Sequence, residues 1–171
     1  MTDESQVIDQ AIKETTIKTG KYLTFTLSEE EYGIGILKVK EIIGMMEITS
    51  VPRTPEFIKG VINLRGKVIP IIDLRLKFEM GEIPYNDRTC IIVVEMDSDS
   101  ATILIGIVVD AVSEVLNIQE SEIEETPAFG TQLNTDYILG MAKTEGGVKI
   151  LLNIDKVLSI EEITGLEKVA Q

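Results

Sequence analysis

Gly33-Ile34-Gly35-Ile36-Leu37-Lys38-Val39-Lys40-Glu41-Ile42-Ile43 returns later in the chain as Gly106-Ile107-Val108-Val109-Asp110-Ala111-Val112-Ser113-Glu114-Val115-Leu116, and the two segments align without a gap. Gly33/Gly106, Ile34/Ile107, Val39/Val112 and Glu41/Glu114 are identical. Ile36/Val109, Ile42/Val115 and Ile43/Leu116 keep an aliphatic of similar volume, which is how a packed position is preserved. Downstream the halves stay in step. Thr54-Pro55-Glu56-Phe57 faces Thr126-Pro127-Ala128-Phe129, and Gly60, Gly66 and Val68 face Gly140, Gly146 and Val148; both halves then run apolar to Leu74 and Ile154. One module of about five short strands therefore occurs twice.

Around the repeat the pattern is all-β. Leu23, Phe25 and Leu27 alternate with Thr24 and Thr26, which predicts a half-buried strand, and Ser28-Glu29-Glu30-Glu31 predicts a solvated turn after it. Short apolar runs recur between Gly, Pro, Asn and Asp: Tyr32 to Ile36, Ile42 to Ile48, Lys67 to Ile72, Cys90 to Met96, Thr102 to Val109, Val115 to Ile118, Ile138 to Lys143 and Val148 to Ile154. Thr54-Pro55 and Ser159-x-x-Glu162 carry N-cap signals for short helices. Residues 1–20 read as a loosely held tail, 21–84 as a first module, 85–158 as a second, and 159–171 as a short C-terminal helix, with strand exchange between the modules left open. A module of about 70 residues buries only about 60% of its unfolded surface, so the two are expected to pack on each other. Closing each sheet into a barrel removes the edges that so many short strands would expose.

Composition excludes much. A net charge of −13 repels phosphate backbones and anionic lipid, so neither nucleic acid nor a membrane surface is an expected partner. No apolar run approaches the roughly 20 residues that cross a bilayer, and the Met1-Thr2-Asp3-Glu4 start lacks a secretory signal, so the expected location is the cytoplasm. Cys90, the lone cysteine, sits in an apolar run and reads as a packed strand residue. The absence of histidine removes the usual general base and the usual zinc ligand. Carboxylate-only hydrolysis remains as an alternative of another class, and a deep pocket with convergent carboxylates would mark it. Neither a metal nor a cofactor is expected. Asp97-Ser98-Asp99-Ser100 lacks the glycine and distal glutamate of a calcium loop and reads as a hairpin turn, and Gly33-Ile34-Gly35 lacks the third glycine of a dinucleotide fingerprint.

The run Gly60-Val61-Ile62-Asn63-Leu64-Arg65-Gly66 places an arginine in a turn between two apolar strands. Either Asn63 and Gly66 shape a hairpin and Arg65 points into water, or Arg65 meets a partner. Together with Glu31-Tyr32-Gly33-Ile34, Val39-Lys40-Glu41-Ile42, Pro55-Glu56-Phe57-Ile58-Lys59-Gly60 and Pro70-Ile71-Ile72-Asp73-Leu74-Arg75, this run resembles the CheW family of bacterial chemotaxis coupling proteins, in order from about Tyr22 to Leu158.

The resemblance implies two intertwined five-stranded SH3-like barrels packed on each other, and a non-catalytic adaptor that joins methyl-accepting chemoreceptors to the histidine kinase CheA. The implied partners are the CheA regulatory domain, the cytoplasmic receptor tip and further copies of the coupling protein in rings. Receptors would then recruit it to the inner membrane. Carried over by position, Glu41, Gly60 and Arg65 are the interaction residues, with Glu41 paired to Arg65. Val39, Gly106 and Val115 are the receptor-groove candidates, and core packing is the competing use of the two valines. Phe129 matches an aromatic of a ring contact, with core packing as its alternative, and Glu124 stands where some members have a basic residue. A CheW-like module of another signalling protein, such as CheA or CheV, is the alternative within the same resemblance; the short length and the missing phosphotransfer histidine weigh against it.

Overall fold

The computed structural model describes residues 20–97, 102–125, 137–159, 161–163 and 165–166. Eleven strands are described: β1 Gly20–Leu27, β2 Glu30–Gly35, β3 Val39–Gly44, β4 Ile58–Leu64, β5 Lys67–Asp73, β6 Cys90–Asp97, β7 Thr102–Val109, β8 Ala111–Ile118, β9 Ile123–Glu124, β10 Ile138–Thr144 and β11 Gly147–Leu152. They form two sheets, ordered β8-β1-β2-β11-β10-β9 and β3-β6-β7-β5-β4. These are two SH3-like barrels, barrel A and barrel B respectively.

The sheets exchange strands between the repeats. Barrel B is one continuous stretch, β3 to β7, while barrel A joins β1 and β2 to β8 through β11. The exchange obeys the repeat residue by residue. Leu151 pairs with Gly33 across a parallel β11/β2 seam, and Ile71 pairs with Gly106 across a parallel β5/β7 seam. Each barrel closes alike. The chain after β8 bends through a 3-10 turn at Glu120–Glu122 into β9, which pairs with β10; the chain after β3 bends round to Thr49, which bridges to Val61 of β4.

Among the described residues, three apolar clusters hold this arrangement. Tyr22, Ile118, Ala142 and Leu151 fill barrel A; Ile62, Ile69, Ile71, Ile91, Val93 and Val108 fill barrel B. The largest cluster is the seam between the barrels, with Leu23, Phe25 and Leu27 of β1 against Ile92, Val94 and Met96 of β6. The unbroken apolar run Ile91 to Val94 is buried on both faces, Ile91 and Val93 in barrel B and Ile92 and Val94 in the seam. The seam also explains one departure from expectation. Strand β1 is not half-exposed: Thr24 has no accessible surface, because its face points into barrel A while Leu23 and Phe25 face the seam.

Two other expectations change. No helix follows Thr54-Pro55: the Thr54 hydroxyl donates back to the Val51 carbonyl at 2.9 Å instead of capping, and Ile58 already opens β4. The acidic turn is confined to Ser28-Glu29, with Glu30 and Glu31 inside β2. Real capping occurs at Asp73, whose carboxylate accepts from Arg75 N and Leu76 N to start the short helix α1, Leu74–Lys77. Ser159 and Glu162 form the reciprocal capping box read from the sequence, Glu162 N donating to Ser159 Oγ at 3.1 Å and Ser159 N donating to Glu162 Oε1 at 2.7 Å. Beyond it Ile163 and Leu166 drop into the seam, and Lys77 grips both Glu162 oxygens at 2.8 and 2.7 Å. The tail up to residue 19, the loop after Asp97, the Thr126-Pro127 match with Phe129, and the end beyond residue 166 lie outside the described residues.

Candidate functional site

Strands β4 and β5 are joined by the two-residue turn Arg65-Gly66, with φ of 51° and 88°. Left-handed backbone at both central residues matches the twist of a tight hairpin, which is why a glycine follows the arginine. Asn63 Oδ1 accepts from Gly66 N at 2.8 Å and fixes the turn. The hairpin reading of Asn63 and Gly66 is thus correct, but Arg65 is not free in water. Its Nη1 and Nη2 donate to Glu41 Oε1 and Oε2 at 3.0 and 2.5 Å, a bidentate fork. The Arg65 hydrogen bond, helped by its charge, holds the Glu41 carboxyl below its ordinary value against the opposing effect of desolvation. The pair remains open to solvent, with the Arg65 side chain 69% exposed.

Glu41 reaches Arg65 because β3 is bulged. Val39 pairs with Val94 and Glu41 with Val93, so Lys40 is an extra residue in the ladder. A bulge of this kind turns two consecutive side chains toward one side, and both Lys40 and Glu41 line the same depression, an open groove of about 670 Å³. Lys40 pairs with Glu95 at 2.5 Å on its rim, and Lys67 adds a further cation. The floor is apolar: Leu64, Ile69, Val93 and Leu104, all from the barrel B core or packed against it. The groove is therefore the mouth of barrel B, rimmed by charge pairs. Each of its carboxylates, Glu41 and Glu95, is matched to a cation, an arrangement suited to gripping a surface.

The other sequence candidates sit elsewhere. Gly60 is buried on β4, where a Cβ would fall 2.0 Å from the Thr49 carbonyl oxygen, so the glycine serves barrel closure. Gly106 is buried in β7, its missing Cβ replaced by the Ile71 and Ile91 side chains at 2.6 and 2.7 Å. Val39 packs against the seam, whereas Val115 is 49% exposed. Four exposed aliphatics form two repeat pairs, Ile42 with Val115 and Val68 with Val148, while the exposed Leu37 is answered by Asp110. Ile42 and Val115 pair across their ladders with the seam residues Ile92 and Leu23, placing them where the seam reaches the surface. Glu124 forms an ion pair with Lys143. Sequence reasoning missed Lys40, Glu95 and the apolar floor, because a one-residue bulge leaves no mark in an alternating pattern.

The family model of the CheW-like domain matches residues 21–162. The chain is 44% identical over 151 residues to the chemotaxis protein CheW of Klebsiella aerogenes, covering 88% of this chain and 89% of that one. It is 37% identical over 147 residues to that of Bacillus subtilis, covering 85% and 91%. The crystal structure of the scaffolding protein TtCheW from Thermoanaerobacter tengcongensis superposes with a TM-score of 0.72 at 38% identity, covering 84% of this chain and 95% of that chain.

Proposed function

This chain belongs to the CheW family and acts as a chemotaxis adaptor, and we propose that it does so without catalysis, by holding the regulatory domain of the histidine kinase CheA together with the cytoplasmic tip of a methyl-accepting chemoreceptor. The mouth of barrel B is the kinase contact. Arg65, Glu41 and the apolar floor supply the combination of a desolvated centre and a charged rim that gives protein contacts both affinity and register. The exposed aliphatics at the edge of the seam, Val115 among them, are the receptor contact, where an amphipathic helix lays its apolar face. Gly60 and Gly106 support these surfaces from within by permitting close packing, and Phe129 is assigned to a ring contact with a further copy or with the kinase. The protein works in the cytoplasm and reaches the inner membrane through the receptor; among the described residues no helix is long and apolar enough to cross a membrane.

The observation that carries this reading is the Glu41–Arg65 fork standing at the rim of an apolar-floored groove. Titration of the purified chain, and of Arg65→Glu beside it, against the CheA regulatory domain and a receptor tip fragment tests it. The parent chain is expected to bind both, and the variant to bind the receptor fragment but not the kinase domain. Equal kinase binding by the two proteins removes Arg65 from the site, and no binding of either partner by the parent chain overturns the adaptor reading.

A further inference from the structure

The strand exchange between the repeats has an alternative. Each repeat, β1–β5 or β6–β11, carries the strands of a whole barrel, so β2 could pair with its own β5 and β7 with its own β11. Self-closure keeps the sheet pattern and changes only which copy supplies each strand, the situation from which exchanged elements arise. The residues at the points of exchange decide between the two.

Two ion pairs clip the chain where it crosses between barrels. After β7 it crosses to barrel A at Asp110, whose Oδ2 accepts from Arg75 Nη1 of α1 and from Ser28 N, both at 2.8 Å. After β2 it crosses to barrel B through the 3-10 turn Ile36–Lys38. There Lys38 Nζ meets Asp155 Oδ2 at 2.8 Å and Asp97 Oδ2 at 3.1 Å, while Asp155 Oδ1 accepts from Asp97 N at 3.1 Å. The clips are repeat mates. Ile71 and Leu151 face Gly106 and Gly33, which sets Arg75 against Asp155, each two residues after the side chain that caps it, Asp73 or Asn153. The β6/β7 and β1/β2 ladders set Asp97 against Ser28 in the same way. Their polarity is opposite: the first clip has its base after β5 and its acid at the crossing, the second its acid after β11 and its base at the crossing, Lys38 standing one residue past the mate of Asp110.

A third pair acts by burial. Lys149 of β11, 5% exposed, is ion-paired with Glu31 of β2 across the exchanged seam. The registers set Ile69 against Lys149 and Leu104 against Glu31, so the matching place in barrel B is apolar on both sides. Self-closure spoils all three contacts. Arg75 would meet Lys38, Asp155 would meet Asp110, Lys149 would be buried against Leu104, and Glu31 against Ile69. Like charges in contact and a buried ammonium without its carboxylate are both unfavourable.

We infer that Arg75–Asp110, Lys38–Asp155 and Lys149–Glu31 form a charge code that selects the exchanged pairing of the two repeats and rejects closure of either repeat on itself. A duplicated chain needs such a device, because positions that keep aliphatic volume seat nearly as well in either barrel. Charges that clash only in the wrong arrangement keep related elements apart. What matters is that the two copies differ, not the strength of any one pair. Function depends on the outcome: the groove at the mouth of barrel B takes Glu41, Leu64 and Arg65 from the first repeat and Val93, Glu95 and Leu104 from the second, so only the exchanged pairing assembles it.

The test retains the observed complementarity and removes the difference between the copies. Arg75→Asp/Asp110→Lys reverses the first clip, which stays complementary but now has the polarity of the second; adding Glu31→Leu/Lys149→Ile makes both barrel mouths apolar. Pairing is read in full-length Cys90→Ala chains with a short bismaleimide. Glu30→Cys with Val148→Cys reports the exchanged pairing, since each lies two residues before the paired Tyr32 and Ile150; Glu30→Cys with Val68→Cys, the repeat mate of Val148, reports self-closure. After dilution from urea the parent is expected to crosslink through Val148→Cys. The reversed clip is expected to raise the Val68→Cys crosslink about tenfold over the parent, and the fourfold variant to raise it further. A Val68→Cys crosslink no greater in the folded variants than in the parent overturns the inference, because a merely structural role leaves complementary pairs equally good. So does a parent that crosslinks alike through both positions. Whichever variant folds by circular dichroism decides the matter, and failure of both to fold overturns the inference as well, since it ties each charge to its own position.

Discussion

The carbonyl oxygen of Thr49 occupies the place where a side chain on Gly60 would begin, 2.0 Å from an added Cβ, and Gly60 holds a φ of 142° that other residues avoid. Contact and conformation both exclude a larger residue, because the Thr49–Val61 bridge that closes barrel B draws the two backbones together. Gly60→Ala is therefore expected to cost about 2 kcal/mol or more. At its counterpart Gly140, an added Cβ lies 2.6 Å from Ile123 Cγ2 and 2.8 Å from the Glu124 carbonyl oxygen, and no left-handed φ adds to that; Gly140→Ala is expected to cost less. Urea denaturation of both variants checks the order, and equal losses would contradict this account of closure.

The candidate receptor-groove residues separate by stability. Gly106→Ala drives a methyl into the Ile71 and Ile91 side chains and is expected to cost about 1–3 kcal/mol, as overpacking does. Val115→Ala removes a half-exposed group and is expected to stay within about 0.5 kcal/mol of the parent. Val115 is thus the member whose loss of receptor binding would report a contact and not a damaged fold. Thermal melts beside receptor-fragment titrations measure both.

Stability should also carry a pH signature at the C-terminal helix. Burial opposes ionisation of Glu162, but the Lys77 hydrogen bond and the Ser159 bonds prevail and hold its carboxyl below its ordinary value of 4.5. A lowered folded value means that the pair contributes in full above about 4.5 and loses its contribution as pH falls through the lower folded value. The pair is partly exposed, so about 1 kcal/mol is the scale. Glu162→Gln should lose that amount at pH 7 and match the parent in strong acid; a constant difference between the two across urea titrations at both pH values would show that the charge plays no part.

How far these features are legible depends on what a sequence pattern encodes. The duplication is visible because Gly33–Ile43 and Gly106–Leu116 keep identity or aliphatic volume at seven of eleven positions. The exchange of partners is not, since β1 alternates alike whether it pairs with β3 or with β8. Arg65 is legible as the odd charge in an apolar hairpin; its orientation toward Glu41 depends on the Lys40 bulge, which no alternation announces. Glu31 reads as part of a solvated turn because its partner Lys149 lies far away in sequence, across the parallel β2/β11 seam.

The Glu41–Arg65 fork poses a last question, whether Arg65 serves the groove by its pairing or by meeting the partner itself. The guanidinium is mostly exposed even while both its arms are engaged, so one face stays available to an incoming carboxylate. Were pairing its whole purpose, exchanging the charges as Glu41→Arg/Arg65→Glu would rebuild the fork and restore kinase binding. Our reading predicts the contrary: each single reversal weakens binding about tenfold or more, and the exchanged pair does not recover it, because the positive charge has left the hairpin tip. Folding stability should barely change in any of the three variants, since exposed pairs contribute little to it. A calorimetric cycle over the parent, both single variants and the exchanged pair decides the matter, and recovery of affinity in the exchanged pair would make Arg65 a shaping residue instead of a contact.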